Sequence, residues 1–75
     1  MFKVSKKETL ASLKEALNAF DVDYTVNGYS VTFEQYPMIT AHIVGIDVVR
    51  VDEVDSDNDL VSQTLMSVEA LALAL

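Results

Sequence analysis

Residues 22–35 read VDYTVNGYSVTFEQ, and this stretch decides the fold class. It is centred on Asn27-Gly28, the strongest short-range signal for a β-hairpin, because both central positions of a type I′ turn need a positive φ. A two-residue loop there pairs Val26 with Tyr29, and residues directly opposed across a hairpin share a face. A slip of one residue would mix the polar and apolar faces that this register separates. The predicted apolar face consists of Val22, Tyr24, Val26, Tyr29, Val31 and Phe33.

A second stretch of extended chain is predicted after Pro37, which ends the hairpin because proline cannot donate a hydrogen bond to a sheet. Residues 39–51 are rich in β-branched side chains, which favour strands. Their alternation changes phase at Gly45, as it would at a β-bulge in one long strand or at a corner between two short strands. We predict the single bulged strand and keep two short strands as the alternative.

An amphipathic helix is predicted on the N-terminal side, over residues 6–20. Ser5 and Glu8 have the spacing of a capping box, in which each side chain accepts from the other residue's backbone amide. The apolar residues that follow recur at helical spacing and define the face expected to enter the core. They are Leu10, Leu13, Ala16, Leu17 and Phe20.

A second helix is predicted from Leu60 to Leu75, after the acidic stretch 52–59. Ser56 and Asp59 have capping-box spacing, and acidic groups favour the partial positive charge of a helix N-terminus. The apolar residues again form one stripe. Those expected in the core are Leu60, Val61, Leu65, Val68, Leu71, Ala72 and Leu75.

These elements predict one small α+β domain spanning residues 1–75, in the order α-β-β-β-α. Its antiparallel sheet would be covered on the apolar face by both helices. A chain of 75 residues buries a thin core, and small domains often compensate with disulfides, a metal or self-association. The chain has no cysteine, which excludes disulfides and leaves self-association as the available supplement.

Charge is the strongest compositional signal, with five basic residues against twelve acidic ones and a formal net charge of −7. Four of the bases lie in residues 1–14, whereas eleven of the acids lie in residues 15–75. Nucleic acids and anionic membranes repel a protein this acidic, so we expect a basic protein partner and no direct contact with either. The alternative is that the acidic surplus only keeps a small apolar chain in solution.

The acidic stretch is the candidate partner-binding site, because its clustered carboxylates create a negative potential that a Lys/Arg-rich cleft would hold. Such a cleft commonly serves phosphates, so the chain could inhibit or regulate its partner as a nucleic-acid mimic. In size and charge the chain resembles, as a class, the small acidic proteins with which phages antagonise nucleases, defence complexes or polymerases. The predicted partner-binding residues are Asp52, Glu53, Asp55, Asp57 and Asp59.

Calcium binding and catalysis are weaker interpretations of the same residues. Counted from Asp55, an EF-hand loop would need glycine where Leu60 stands and glutamate where Met66 stands. His42 is the one histidine, and the chain has neither cysteine nor a serine in a nucleophile-elbow setting, so no catalytic triad is predicted. We therefore predict a protein that is not an enzyme, with no catalytic, cofactor-binding or metal-binding residues.

Self-association is predicted on the exposed side of the second helix, where three apolar residues recur at helical spacing: Met66, Ala70 and Leu73. A twofold homodimer is the commonest outcome for such a patch. The alternative function is accordingly that of a structural or assembly protein acting through this helix. The start of the chain has no apolar h-region and residues 60–75 are too short to span a bilayer, so we expect a cytoplasmic protein with no membrane anchor.

Overall fold

The computed structural model of the chain describes residues 5–75 and shows two helices and a five-stranded antiparallel sheet. The strands lie in the order β1-β2-β3-β4-β5, so each pairs with its neighbour in the sequence. The α+β class is confirmed, but the prediction of three strands is wrong. The elements are α1 (Lys6–Ala19), β1 (Tyr24–Asn27), β2 (Ser30–Phe33), β3 (Ile39–Gly45), β4 (Val48–Val54), β5 (Leu60–Met66) and α2 (Val68–Ala74).

The first helix is confirmed, and it begins where the capping box predicts. The Ser5 hydroxyl oxygen accepts the Glu8 amide at 3.4 Å. Leu13 and Leu17 are fully buried, whereas Phe20 follows the helix as its C-cap and is exposed. Lys3, one of the bases at the start of the chain, lies outside the described residues.

The predicted hairpin forms as β1 and β2, but its register differs by two residues. Val26 pairs with Val31, which leaves Gly28 and Tyr29 as the loop. Gly28 has a φ of 62° at the first central position, as a type II′ turn requires. Because the shift is an even number of residues, Val26 and Val31 still share the apolar face. Tyr29 is the exception, since it lies exposed in the turn.

The single bulged strand predicted over residues 39–51 is wrong, and the alternative of two short strands is correct. A turn at Ile46-Asp47 separates β3 from β4, and Gly45 pairs with Val48 after a shift in register. Asp47 adopts a φ of 53°, a conformation that the short polar side chain of aspartate tolerates better than most others do.

The predicted second helix is wrong over its first half, because residues 60–66 form β5 and only residues 68–74 are helical. Ser56 and Asp59 cap no helix. The N-cap is Ser67, whose hydroxyl accepts the Ala70 amide at 3.1 Å. A short apolar run fits a strand as well as a helix, and the free edge of β4 supplies backbone partners that a helix cannot use.

The core lies on one face of the sheet, between strands β2 to β4 and both helices. Of the second-helix residues predicted for this core, Val68, Leu71 and Ala72 are buried and Leu75 packs against its edge. Leu60, Val61 and Leu65 are instead exposed on β5. The buried cluster consists of Leu13, Leu17, Val31, Phe33, Ala41, Ile43, Val49, Val68 and Leu71.

Asp47 connects the β3–β4 turn to both helices. Its backbone amide donates to the buried Thr9 hydroxyl of α1 at 3.0 Å. Its carboxylate accepts the amide of Val68, the first residue of α2, at 3.2 Å. These two hydrogen bonds join the β3–β4 turn to both helices, and α2 lies against β4.

Truncating Leu17 should destabilise the fold far more than truncating Leu65, although both are leucines at positions predicted for the core. Leu17→Ala removes a fully buried side chain and should lower the free energy of unfolding by about 2–4 kcal/mol. Leu65→Ala removes a side chain that is 64% exposed and should change it by less than about 0.5 kcal/mol. Urea unfolding of the two variants measures the difference, and equal losses would place Leu65 in the core.

Candidate functional site

The five predicted partner-binding carboxylates do not form one loop. Asp52 and Glu53 belong to β4, where side chains alternate between the two faces of the sheet. Asp55, Asp57 and Asp59 lie in the turn that joins β4 to β5. The structure therefore divides the predicted site into strand residues and turn residues.

Residues 55–59, here called the acidic turn, present three carboxylates at one point. The carboxylate oxygens of Asp55, Asp57 and Asp59 lie within 4.8 Å of one another, and all three residues are exposed. Every ion pair among residues 5–75 involves Asp52, so none of these three carboxylates is paired with a lysine or arginine there. The turn thus concentrates negative charge where solvent and other molecules reach it.

The shape of the acidic turn is set by its own hydrogen bonds. One oxygen of Asp55 accepts the backbone amides of Asp57 at 2.9 Å and Asp59 at 3.0 Å. Asn58 adopts a φ of 65°, a left-handed conformation that asparagine tolerates. Because the backbone is ordered in this way, less conformational entropy is lost when a partner binds the carboxylates.

The same three carboxylates are the described residues whose side chains could approach a cation together. Oxygen ligands suit calcium or magnesium, but one Asp55 oxygen already serves two amides, and the rest of the EF-hand pattern is missing from the chain. Exposed acidic groups commonly cluster in this way without an ion. The absence of a metal site stays a prediction.

Asp52 has a different environment, on the face of the sheet opposite the helices. Its carboxylate lies 3.3 Å from His42 Nε2 and accepts from Arg50 Nε at 3.2 Å. His42 Nδ1 lies 2.8 Å from the Ser30 hydroxyl. The Asp52 side chain is only 16% exposed. Its carboxylate is therefore engaged within the protein, and the partner-binding role of Asp52 stays a prediction.

The contact between Ser30, His42 and Asp52 was not predicted from the sequence, because the three residues are distant in sequence and become neighbours only through strand pairing. Ser30 is directly opposite His42, and His42 is directly opposite Arg50. A histidine between a serine and an aspartate has the composition of a hydrolase triad. Hydrolysis also needs a bound substrate and oxyanion donors, and that the chain is not an enzyme stays a prediction. The contacts of Ser30, His42 and Asp52 link β2, β3 and β4.

Strand β5 is the second exposed feature, and sequence reasoning missed it because the segment was assigned to a helix. Each of its residues is exposed except Met66, which is partly buried. Leu60, Val61 and Leu65 expose 57%, 61% and 64% of their surface. Within residues 5–75 the strand pairs only with β4, so its other backbone edge is open there.

The predicted self-association residues do not share a helix face. Met66 ends β5 and packs against the core, whereas Ala70 and Leu73 lie exposed on α2. The three-residue helical patch on which that prediction depended is therefore absent. Homodimerisation itself stays a prediction.

No protein-family model, curated protein or solved structure matches the chain, so the fold and its side chains alone bear on what it does. Of the two helices in residues 5–75, neither has the length and apolar character that crossing a membrane requires.

Removing Asp52 should cost more stability than removing Asp57, although each change deletes one carboxylate. Asp52→Ala leaves His42 and Arg50 without their shared partner and should lower the free energy of unfolding by about 0.5–1.5 kcal/mol. Asp57→Ala deletes an exposed carboxylate and should have little effect. Thermal and urea unfolding compare the two, and indistinguishable midpoints would show that the network contributes nothing.

Proposed function

We propose that this chain is a small protein-interaction module that engages a basic site on a partner protein through the acidic turn. The observation that carries the proposal is the arrangement of Asp55, Asp57 and Asp59, three exposed carboxylates in one ordered turn. None of the three forms an ion pair with a lysine or arginine of residues 5–75. Charge-assisted hydrogen bonds to arginine or lysine are about twice as strong as neutral ones. Such a turn fits a pocket lined by those residues.

The charge of the rest of the chain supports this proposal. Residues 15–75 carry eleven acidic residues against a single arginine, Arg50, and that arginine is already paired with Asp52. The summed negative field attracts a basic partner over a distance and raises the rate of encounter. The same field repels nucleic acids and anionic lipids, which favours a protein as the partner.

The compactness of the carboxylate cluster suggests the kind of basic site that it fits. A mimic of extended nucleic acid needs negative charges in a row along a surface, as phosphates follow a strand. Here the three carboxylates gather within 4.8 Å, and Asp52 is engaged elsewhere. We favour a pocket that accepts one phosphate-sized anion, which the turn would occupy as an inhibitor or regulator. Mimicry of a longer nucleic acid, of the phage-antagonist type, stays the broader version of this proposal.

Neutralising the acidic turn should weaken partner binding strongly, whereas neutralising three acids elsewhere should not. The turn variant combines Asp55→Asn, Asp57→Asn and Asp59→Asn, and it keeps the turn because the asparagine oxygen at position 55 can still accept both amides. The control combines Glu15→Gln, Glu34→Gln and Glu69→Gln, three exposed acids outside the turn. Both variants carry the same net charge, so any difference between them is local.

The measurement is capture of host proteins by the wild type and both variants, followed by the affinity of each variant for the captured protein. We expect the control to retain the partner and the turn variant to bind it about tenfold more weakly or worse. The wild-type affinity should also fall with added salt. Equal binding by the two variants would contradict the proposal.

Self-association is the second candidate function, and a separate observation favours it. That observation is the open backbone edge of β5 with its exposed apolar side chains. It replaces the helical patch on which the prediction of a structural or assembly protein was based.

A further inference from the structure

Strand β5 lacks most of the features that protect the edge of a sheet from other strands. Protected edges are typically very short, carry charges or proline, or lie beneath a helix or loop. β5 has seven residues, LVSQTLM, with no charge and no proline, and both helices lie over other strands. Its only irregularity is a register shift at one end, between the pairs of Glu53 and Val54. The opposite edge, β1, is a strand of four residues.

The sequence of β5 is also symmetric in chemical character about Gln63. Moving outward from Gln63, the first pair is polar on both sides, Ser62 and Thr64. The next two pairs are apolar, first Val61 with Leu65 and then Leu60 with Met66. A twofold contact between identical subunits is favoured when residues at equal distances on either side of its centre have the same chemical character. The reason is that residue i of each subunit meets residue j of the other. An antiparallel pair of β5 strands centred on Gln63 therefore matches Ser62 with Thr64 and Val61 with Leu65, and Leu60 lies beyond the register shift at Val61.

We propose that β5 pairs with β5 of a second copy, antiparallel and centred on Gln63, so that the two sheets join into one. Alternate residues of the strand would exchange backbone hydrogen bonds across the new contact. Gln63 shares a face with Asp52, its partner on β4, and it would stand opposite Gln63 of the second copy on that same face. Leu65 would lie opposite Val61 of the second copy, and Val61, the residue that the register shift leaves without a partner on β4, opposite Leu65. These two contacts cover part of the exposed apolar surface of β5.

The distribution of charge favours this antiparallel arrangement over a parallel one. Asp59 would stand opposite Ser67 of the second copy, eight residues from that copy's own Asp59, a distance of about 26 Å at roughly 3.3 Å per residue. That separation is about three Debye lengths at physiological ionic strength, so the two acidic turns scarcely repel each other. A parallel pair would instead place the turns side by side, one strand spacing of about 4.8 Å apart.

The assembly closes as a dimer, because each copy uses its β5 edge once. The outer edges of the joined sheet are then two copies of β1, which is short. One strand pair is a small interface, so we expect a dissociation constant in the micromolar range. Both acidic turns remain exposed at opposite ends of the contact, and the dimer forms whether or not the turn has a basic partner.

Cysteine crosslinking tests the register, since the natural chain has no cysteine. Position 63 faces itself in the second copy, so Gln63→Cys should form an intermolecular disulfide under mild oxidation. Position 62 faces position 64, which puts two copies of residue 62 at diagonal sites about 7–8 Å apart, beyond the reach of a disulfide. We expect Gln63→Cys to crosslink at least about tenfold faster than Ser62→Cys. Equal rates would overturn the proposed register.

Sedimentation tests the surface itself, with the wild type at high micromolar concentration as the reference. Gln63→Lys should convert the dimer to a folded monomer, because it places two lysines opposite each other while each stays beside Asp52 of its own chain. Leu73→Glu, on the exposed side of α2, should leave the dimer intact. A monomeric wild type would overturn the proposal. So would a dimer that survives Gln63→Lys but is lost with Leu73→Glu, since the helix would then form the contact.

Discussion

The structure depends on how much of a five-stranded sheet two short helices can cover. Helix α2 has only seven residues and lies against β4, whereas α1 lies against β3. The buried residues accordingly come from α1, α2 and strands β2 to β4. Strand β5 lies one spacing further out, and of its residues only Met66 packs against the core formed within residues 5–75. The exposure of β5 follows from this limit.

Local signals predicted the N-terminal half of the fold. The capping box at Ser5 and the apolar stripe that contains Leu13 and Leu17 agree on α1, and both leucines are buried. The Asn27-Gly28 signal predicted the hairpin but not its register, because Gly28 with a positive φ suits the first central position of a different turn. The predicted polar and apolar faces of the hairpin are mostly correct despite this error, since a shift of two residues returns most side chains to the same side of the sheet.

The C-terminal half could not be predicted from local pattern, because its outcome depends on a tertiary contact. Residues 60–66 contain apolar residues at spacings that suit either a helix or a strand. The preceding strand β4 has backbone N–H and C=O groups along its edge that need partners. Pairing with them makes residues 60–66 a strand rather than a helix. Hiding Leu60, Val61 and Leu65 in a core would have required a helix, and the structure leaves them exposed instead.

The difference between local pattern and tertiary contact also explains which parts of the candidate site were predicted. Asp55, Asp57 and Asp59 are close in sequence, and the structure brings them together in one turn. Asp52 belongs to the same acidic run, yet it faces His42, which strand pairing places beside it. No spacing rule within the run predicts that partner. The symmetry of β5 was visible in the sequence, but it acquires meaning only for a strand with a free edge.

The most direct test of the account is nuclear Overhauser contacts in residues 60–66, because everything proposed for the surface requires this segment to be an edge strand. We predict cross-strand contacts between β4 and β5, for example from Val51 to Thr64, and no helical contacts between residues three apart. A continuous helical pattern from Leu60 to Leu75, without contacts to β4, would contradict the account.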